Sequence, residues 1–157
     1  MTQERRPFDY QLELLKAELT HINGAVRQHD EITKSVKNWA ILTWTGSLGL
    51  ALKEQNLHSF VWLTAVIPIV FWIVDASYRR IQRSFIRRIR DIADFVNKEK
   101  FLTAVEAGTA TDFELLVMRS KTKEFKDTLL GAMLFRSVWI LYVGLAICSF
   151  VAWVMVN

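Results

Sequence analysis

The sequence predicts an all-α membrane protein, an antiparallel transmembrane hairpin with long cytoplasmic helices and a third, C-terminal transmembrane helix. Three observations predict it. Apolar residues concentrate in 39–52, 57–76 and 132–156, the stretches between carry nearly every charge, and those charged stretches keep a helical period. Hydrophobic residues fill 52% of the 157 positions and charged residues 23%, so it is their segregation, not a lack of charge, that points to lipid. The length suits one domain over 1–157.

Pro7 followed by Asp9 reads as a helix entry, with Asp9 placed to cap free backbone N–H groups. Over 9–36, Leu12, Leu15, Leu19, Ile22 and Val26 recur at steps of three and four, and the phase continues through His29, Thr33 and Val36. The stripe predicts a cytoplasmic helix that packs against another helix of the chain or forms a seam between subunits. Gly24 weakens that helix by roughly 1 kcal/mol relative to alanine.

The first crossing is expected at 37–54, where fourteen uncharged residues from Trp39 to Leu52 are extended by a snorkelling Lys37. Gly46 and Gly49, with Thr43, Thr45 and Ser47, would let a second helix approach closely. The link around Lys53, Glu54, Gln55 and Asn56 is short, so the next crossing must run antiparallel. That crossing is expected at 57–76, with fifteen uncharged residues from Phe60 to Val74. Pro68 removes one backbone hydrogen bond there and predicts a kink.

Beyond Asp75 the chain continues as a cytoplasmic helical segment over 77–130, with Tyr78, Ile81, Phe85, Ile89, Ile92 and Val96 in helical phase. Arg80, Arg83, Arg87 and Arg90 lie on another face, forming a basic stripe that reads as topogenic charge against anionic lipid headgroups or as a site for an anionic ligand such as a nucleotide. Asp75 and Arg79, one turn apart, are expected to form an ion pair at the membrane boundary. Gly108 and Thr109 suggest a turn, and Thr111 with Glu114 fits a capping box opening a helix through about Leu130. Residues 134–156 form the third crossing, with Trp139, Tyr142 and Trp153 toward its interfaces.

Lysine and arginine set the sidedness: six precede Trp39, one lies in the tip, and twelve fall between Arg79 and Lys126. The excess places the N-terminus and the central segment in the cytoplasm of a multi-pass inner-membrane protein, with the C-terminus outside. No removable signal peptide is evident. Cys148 has no disulfide or metal-ligand companion and reads as a small packing residue. His21, His29 and His58 are not spaced as a metal set, and no phosphate loop, nucleophile elbow or zinc-protease pattern occurs. No catalytic residue, metal or cofactor is expected. The pI of about 9.4 lacks the interleaved aromatics of a nucleic-acid surface, and no nucleic-acid partner is expected.

The order of parts, EITKSVKNWAILTWTGSLGLAL, a short tip, then VWLTAVIPIVFWIVDASYRRIQRSFIRRI, resembles the two-crossing bacterial effector modules of the SLATT and related superfamilies. The likeness covers roughly 9–100, and the chain departs from it by adding LFRSVWILYVGLAICSFVAWVMV. The resemblance implies a non-enzymatic membrane effector or pore-forming subunit of a bacterial defence system, a homo-oligomer in contact with membrane lipids and gated through its basic cytoplasmic helices. The alternative is a structural membrane adaptor that recruits a soluble partner.

Overall fold

The computed structural model describes residues 7–117 and 128–156. These are 89% helical, with no strand among them. Proline-free sequence after Pro7 lets α1 run unbroken from Pro7 to Lys53, so the expected segments 9–36 and 37–54 are one helix of 47 residues. A 3-10 segment, Gln55–Ala65, follows and passes into α2, Val66–Val96. Then come α3, Glu99–Ala107; α4, Leu129–Met133; and α5, Arg136–Val156.

The expected kink at Pro68 takes another form. Pro68 is the third residue of α2, where a backbone N–H would have no partner within the helix, so its missing donor is tolerated. The tight winding comes before it. In a 3-10 helix residues three apart lie above one another, and Val61 and Thr64 are the two buried positions of that segment. Thr64 Oγ1 also lies 2.7 Å from its own segment's Val61 carbonyl.

The turn expected at Gly108 is present, but the helix expected to open at Thr111 does not form over 111–117. Asn97 closes α2 by donating from its side chain to the Ala93 carbonyl at 2.8 Å. The short α3 then ends on Gly108, whose φ of 68° is the left-handed cap that glycine adopts without penalty. Thr111 does not cap a helix: residues 109–117 are irregular, and the Thr111 N–H is donated to Gln11 Oε1 at 2.7 Å. Part of the helix expected through Leu130 lies outside the described residues. Near its end α4 is capped by Thr128 Oγ1, which accepts from Gly131 N at 3.1 Å.

Contacts divide the chain into two compact units, Met1–Gln28 with Gln82–Lys123 and His29–Ile81 with Glu124–Asn157. In unit 1, Phe8, Leu15, Ile22, Phe85, Ile92 and Ala104 are buried. Four phenylalanines extend this core: Phe8 and Phe95 each meet Phe101, at 5.6 and 5.4 Å, and Phe113 stacks on Phe95 at 4.0 Å. The irregular segment carrying Phe113 lies against α1 and α2 as a strap. Leu116 within it has φ 60°, a left-handed conformation that costs a non-glycine residue about 1 kcal/mol.

Unit 2 packs around Ala40, Ala76, Ala132, Val138 and Tyr142, with Phe71, Trp72 and Leu141 against them. Alanine at 40 and 76, with no exposed surface, keeps the neighbouring backbones close. Trp72 donates to the Met133 carbonyl at 3.1 Å, which ties α4 to α2. Two helical stretches, Gln55–Val96 and Arg136–Val156, are long and apolar enough to cross a membrane. The part of α1 at 37–54 is not among them, since hydroxyl and glycine residues dilute its apolar run.

Two substitutions test the packing of α1 in unit 1. Ile22 has no exposed surface, so Ile22→Ala should cost about 3 kcal/mol through lost burial and a cavity. A Cβ at Gly24 would meet nothing within 4 Å, so Gly24→Ala should stabilise by about 1 kcal/mol. Unfolding midpoints of the purified protein should therefore move in opposite directions.

Candidate functional site

Unit 2 gathers its polar side chains on the inner faces of otherwise apolar helices. On α1, Lys37, Ala40 and Trp44 follow at steps of three and four and share one face; on α5, Tyr142 and Ser149 are seven apart and share another. Two polar layers result, about 10 Å apart along α5 at its rise per residue.

The first layer is built on Asp75, which has no exposed surface. Its Oδ2 accepts from the Tyr142 hydroxyl at 3.2 Å and faces Lys37 Nζ at 3.8 Å. Lys37, with 24% of its side chain exposed, donates to the Ser137 carbonyl at 2.7 Å. Three helices thus converge on one carboxylate. Asp75 Oδ1 has no hydrogen-bond partner among the described residues. A charge removed from water needs such partners, because an isolated carboxylate in an apolar interior is very unfavourable.

The second layer centres on Ser149, also fully buried. Its Oγ accepts from Trp44 Nε1 at 2.8 Å, lies 3.0 Å from Thr64 Oγ1 and donates to the Leu145 carbonyl at 3.1 Å. The single Thr64 hydroxyl proton is directed either to Ser149 or to the Val61 carbonyl. None of these partners is a general base, so the serine sits in a packing network and not in a nucleophile–base pair.

Arg79 is one of the positive charges that act on Asp75, as the expected local pair requires, and both residues also make contacts across helices. Arg79 Nη1 reaches Asp30 Oδ1 on α1 at 3.4 Å, while Asp75 turns to Lys37 and Tyr142. In the basic stripe, Arg80 and Arg90 are exposed and Arg83 and Arg87 half-buried. Gly46 and Gly49 are exposed, with nothing among the described residues within 4 Å of a Cβ at either position. Pro68 is buried at the start of α2. Cys148 is exposed and therefore not a packing residue within the chain, whereas its neighbour Ser149 is.

Sequence reasoning missed a buried ion pair in unit 1. Arg88 Nε donates to Glu18 Oε1 at 2.7 Å, with side chains 6% and 0% exposed. The guanidinium also lies 4.8 Å from the centre of the Phe113 ring. The signal was available: Glu18 falls between Leu15 and Ile22, and Arg88 between Phe85 and Ile92, each three after one buried residue and four before the next. Among the described residues no three His, Cys, Asp or Glu side chains could hold a metal ion. His58 instead lies 3.1 Å from the Leu52 carbonyl, and His29 packs edge-on against Tyr78.

Removing half of the Asp75 cluster should be worse than removing all of it. Lys37→Met leaves the carboxylate without its counter-charge and should cost about 3 kcal/mol, whereas the double change Lys37→Met with Asp75→Leu should recover most of that loss. A double-mutant cycle on unfolding midpoints measures the difference, and purely additive effects would show that the two charges do not interact. Comparison of the chain with protein-family models, with characterised proteins and with solved structures finds no match.

Proposed function

We propose that the chain is a multi-pass membrane protein acting as a non-enzymatic effector, a pore-forming subunit that works as an oligomer in the bacterial inner membrane. The observation that carries the membrane reading is an inversion of the usual polarity. In each apolar stretch, Gln55–Val96 and Arg136–Val156, only 17% of the most apolar window is buried inside the protein. The core helix of a water-soluble protein would be mostly buried, and an apolar surface of this extent is not left facing water. Here Leu42, Trp62, Ile69, Val70, Phe150 and Val154 face outward, while Asp75, Tyr142, Thr64 and Ser149 face inward.

Lengths agree with a bilayer. The 3-10 segment rises about 22 Å and Val66–Val74 a further 13 Å or so, and α5 spans about 32 Å, against ~30 Å of hydrocarbon. The stretch between Lys37 and Lys53 covers only about 24 Å, which snorkelling of both lysines would extend. The pairings Lys37–Asp75 and Asp30–Arg79 are those an antiparallel hairpin requires. The exposed Gly46 and Gly49 support association between copies, since nothing among the described residues lies within 4 Å of a Cβ at either. The excess of lysine and arginine before Trp39 and after Asp75 supports a cytoplasmic N-terminus, and Arg80 and Arg90 would meet anionic headgroups there. The likeness to SLATT-type modules supports a role in bacterial defence.

Two measurements test this reading. After lysis and an alkaline wash, the protein should stay in the membrane pellet and leave it only in detergent; recovery from the supernatant, monodisperse without detergent, would defeat the membrane reading. Reconstituted in liposomes, it should release an entrapped dye, and Gly46→Ile with Gly49→Ile should reduce release at least tenfold if that face joins copies. A membrane-bound protein that releases no dye at any protein-to-lipid ratio would be a structural adaptor and not a pore.

A further inference from the structure

The strap of unit 1 is held by an arrangement that goes beyond packing. Gln11 reads the Thr111 peptide from both sides, accepting its N–H at 2.7 Å and donating to its carbonyl at 2.9 Å. Three residues on, Arg88 Nη2 donates to the Glu114 carbonyl, and Glu18 Oε2 accepts the Leu116 N–H at 2.8 Å. Four backbone groups of one irregular segment are thus recognised by three side chains of α1 and α2. Two side chains are recognised as well: the Thr111 hydroxyl accepts from Gln11 Nε2 at 2.9 Å, and Phe113 lies between the Phe95 ring and the Arg88 guanidinium.

This is how a protein binds an extended peptide: backbone hydrogen bonds give affinity whatever the sequence, and one pocket gives selectivity. The buried charges strengthen the case. An internal ion pair contributes little net stability compared with apolar residues of the same volume, yet Glu18 and Arg88 direct their remaining hydrogen-bonding atoms at the strap. The strap is also built to leave. It begins just after Gly108, the left-handed cap of α3, and contains Leu116 in a left-handed conformation unfavourable to leucine, whose side chain is 54% exposed.

We propose that the Gln11–Glu18–Arg88 face of unit 1 is a peptide-binding groove, occupied in cis by residues 111–116, and that its partner is a protein segment of the same chemistry, extended and acidic around a central aromatic residue. The cis occupant defines that chemistry: Asp112 and Glu114 flank Phe113, whose ring centre lies 4.8 Å from the Arg88 guanidinium. The partner segment displaces the strap and takes over its four backbone contacts. The groove belongs wholly to unit 1, so it stands whether or not the chain forms a pore.

The probe is a fluorescent peptide, TATDFELLV, matching residues 109–117. Weakening the cis strap by Phe113→Ala should raise peptide affinity at least tenfold over the wild-type chain, and replacing the peptide's own phenylalanine with alanine should abolish that gain. Adding Leu116→Gly to the Phe113→Ala chain removes the backbone penalty of the cis strap and should lower peptide affinity by roughly fivefold. Should Phe113→Ala disturb folding, an independent readout remains: in a Thr111→Cys, Cys148→Ser chain, excess peptide should speed maleimide labelling at position 111. Binding equal in all chains and indifferent to the peptide's phenylalanine would overturn the groove. Labelling that accelerates with protein concentration alone, without peptide, would overturn the partner and show that straps exchange between copies.

Discussion

The carboxylate of Asp75 constrains everything around it in unit 2. It lies on an otherwise apolar face with no exposed surface, so its charge must be met by the protein itself. Lys37 of α1 and Tyr142 of α5 meet it, and each can do so at only one axial level of its helix. Once those three side chains coincide, the register of three helices is decided. Ala40 and Ala76, one turn or less from Lys37 and Asp75, keep the backbones close enough for the contacts to form. The second layer then follows from periodicity, because Trp44 lies two turns beyond Lys37 and Ser149 two turns beyond Tyr142, and the two meet at 2.8 Å.

A charged residue in the core of unit 1 has a different consequence. Glu18 and Arg88 neutralise each other, which leaves a carboxylate oxygen and a guanidinium nitrogen for the strap. An apolar pair in their place would pack as well and could not hold the Leu116 N–H or the Glu114 carbonyl. Gly108, left-handed at the end of α3, turns the chain so that residues 111–116 return over α1 and α2. In this unit polar burial specifies the path of an irregular segment; in unit 2 it specifies the register of helices.

The outward faces follow the opposite logic. Along α5 only Val138, Tyr142 and Ser149 are buried, and the exposed remainder is almost wholly apolar. Helices sorted in this way, hydrogen-bonding residues inward and leucine, valine and phenylalanine outward, match a solvent that cannot form hydrogen bonds. Within that sorting, the two polar layers hold the helices of unit 2 together from inside.

Much of this was legible along the chain. Periodicity at Leu15, Ile22, Phe85 and Ile92 marked the buried faces, and the runs ending in Val74 and Val156 marked the two stretches long and apolar enough to span. Gly108 marked a turn, and glycine's freedom at positive φ made it one. These features are local: a few neighbouring residues determine them. The partners of Asp75, the buried Glu18–Arg88 pair and the irregular path of residues 109–117 were decided only by tertiary structure. Their hydrogen bonds and ion pairs join groups 26 to 100 positions apart. A charge on a helical stripe looks the same in sequence whether water or another side chain will neutralise it, and a threonine before a glutamate reads as a helix cap until a distant glutamine takes its N–H.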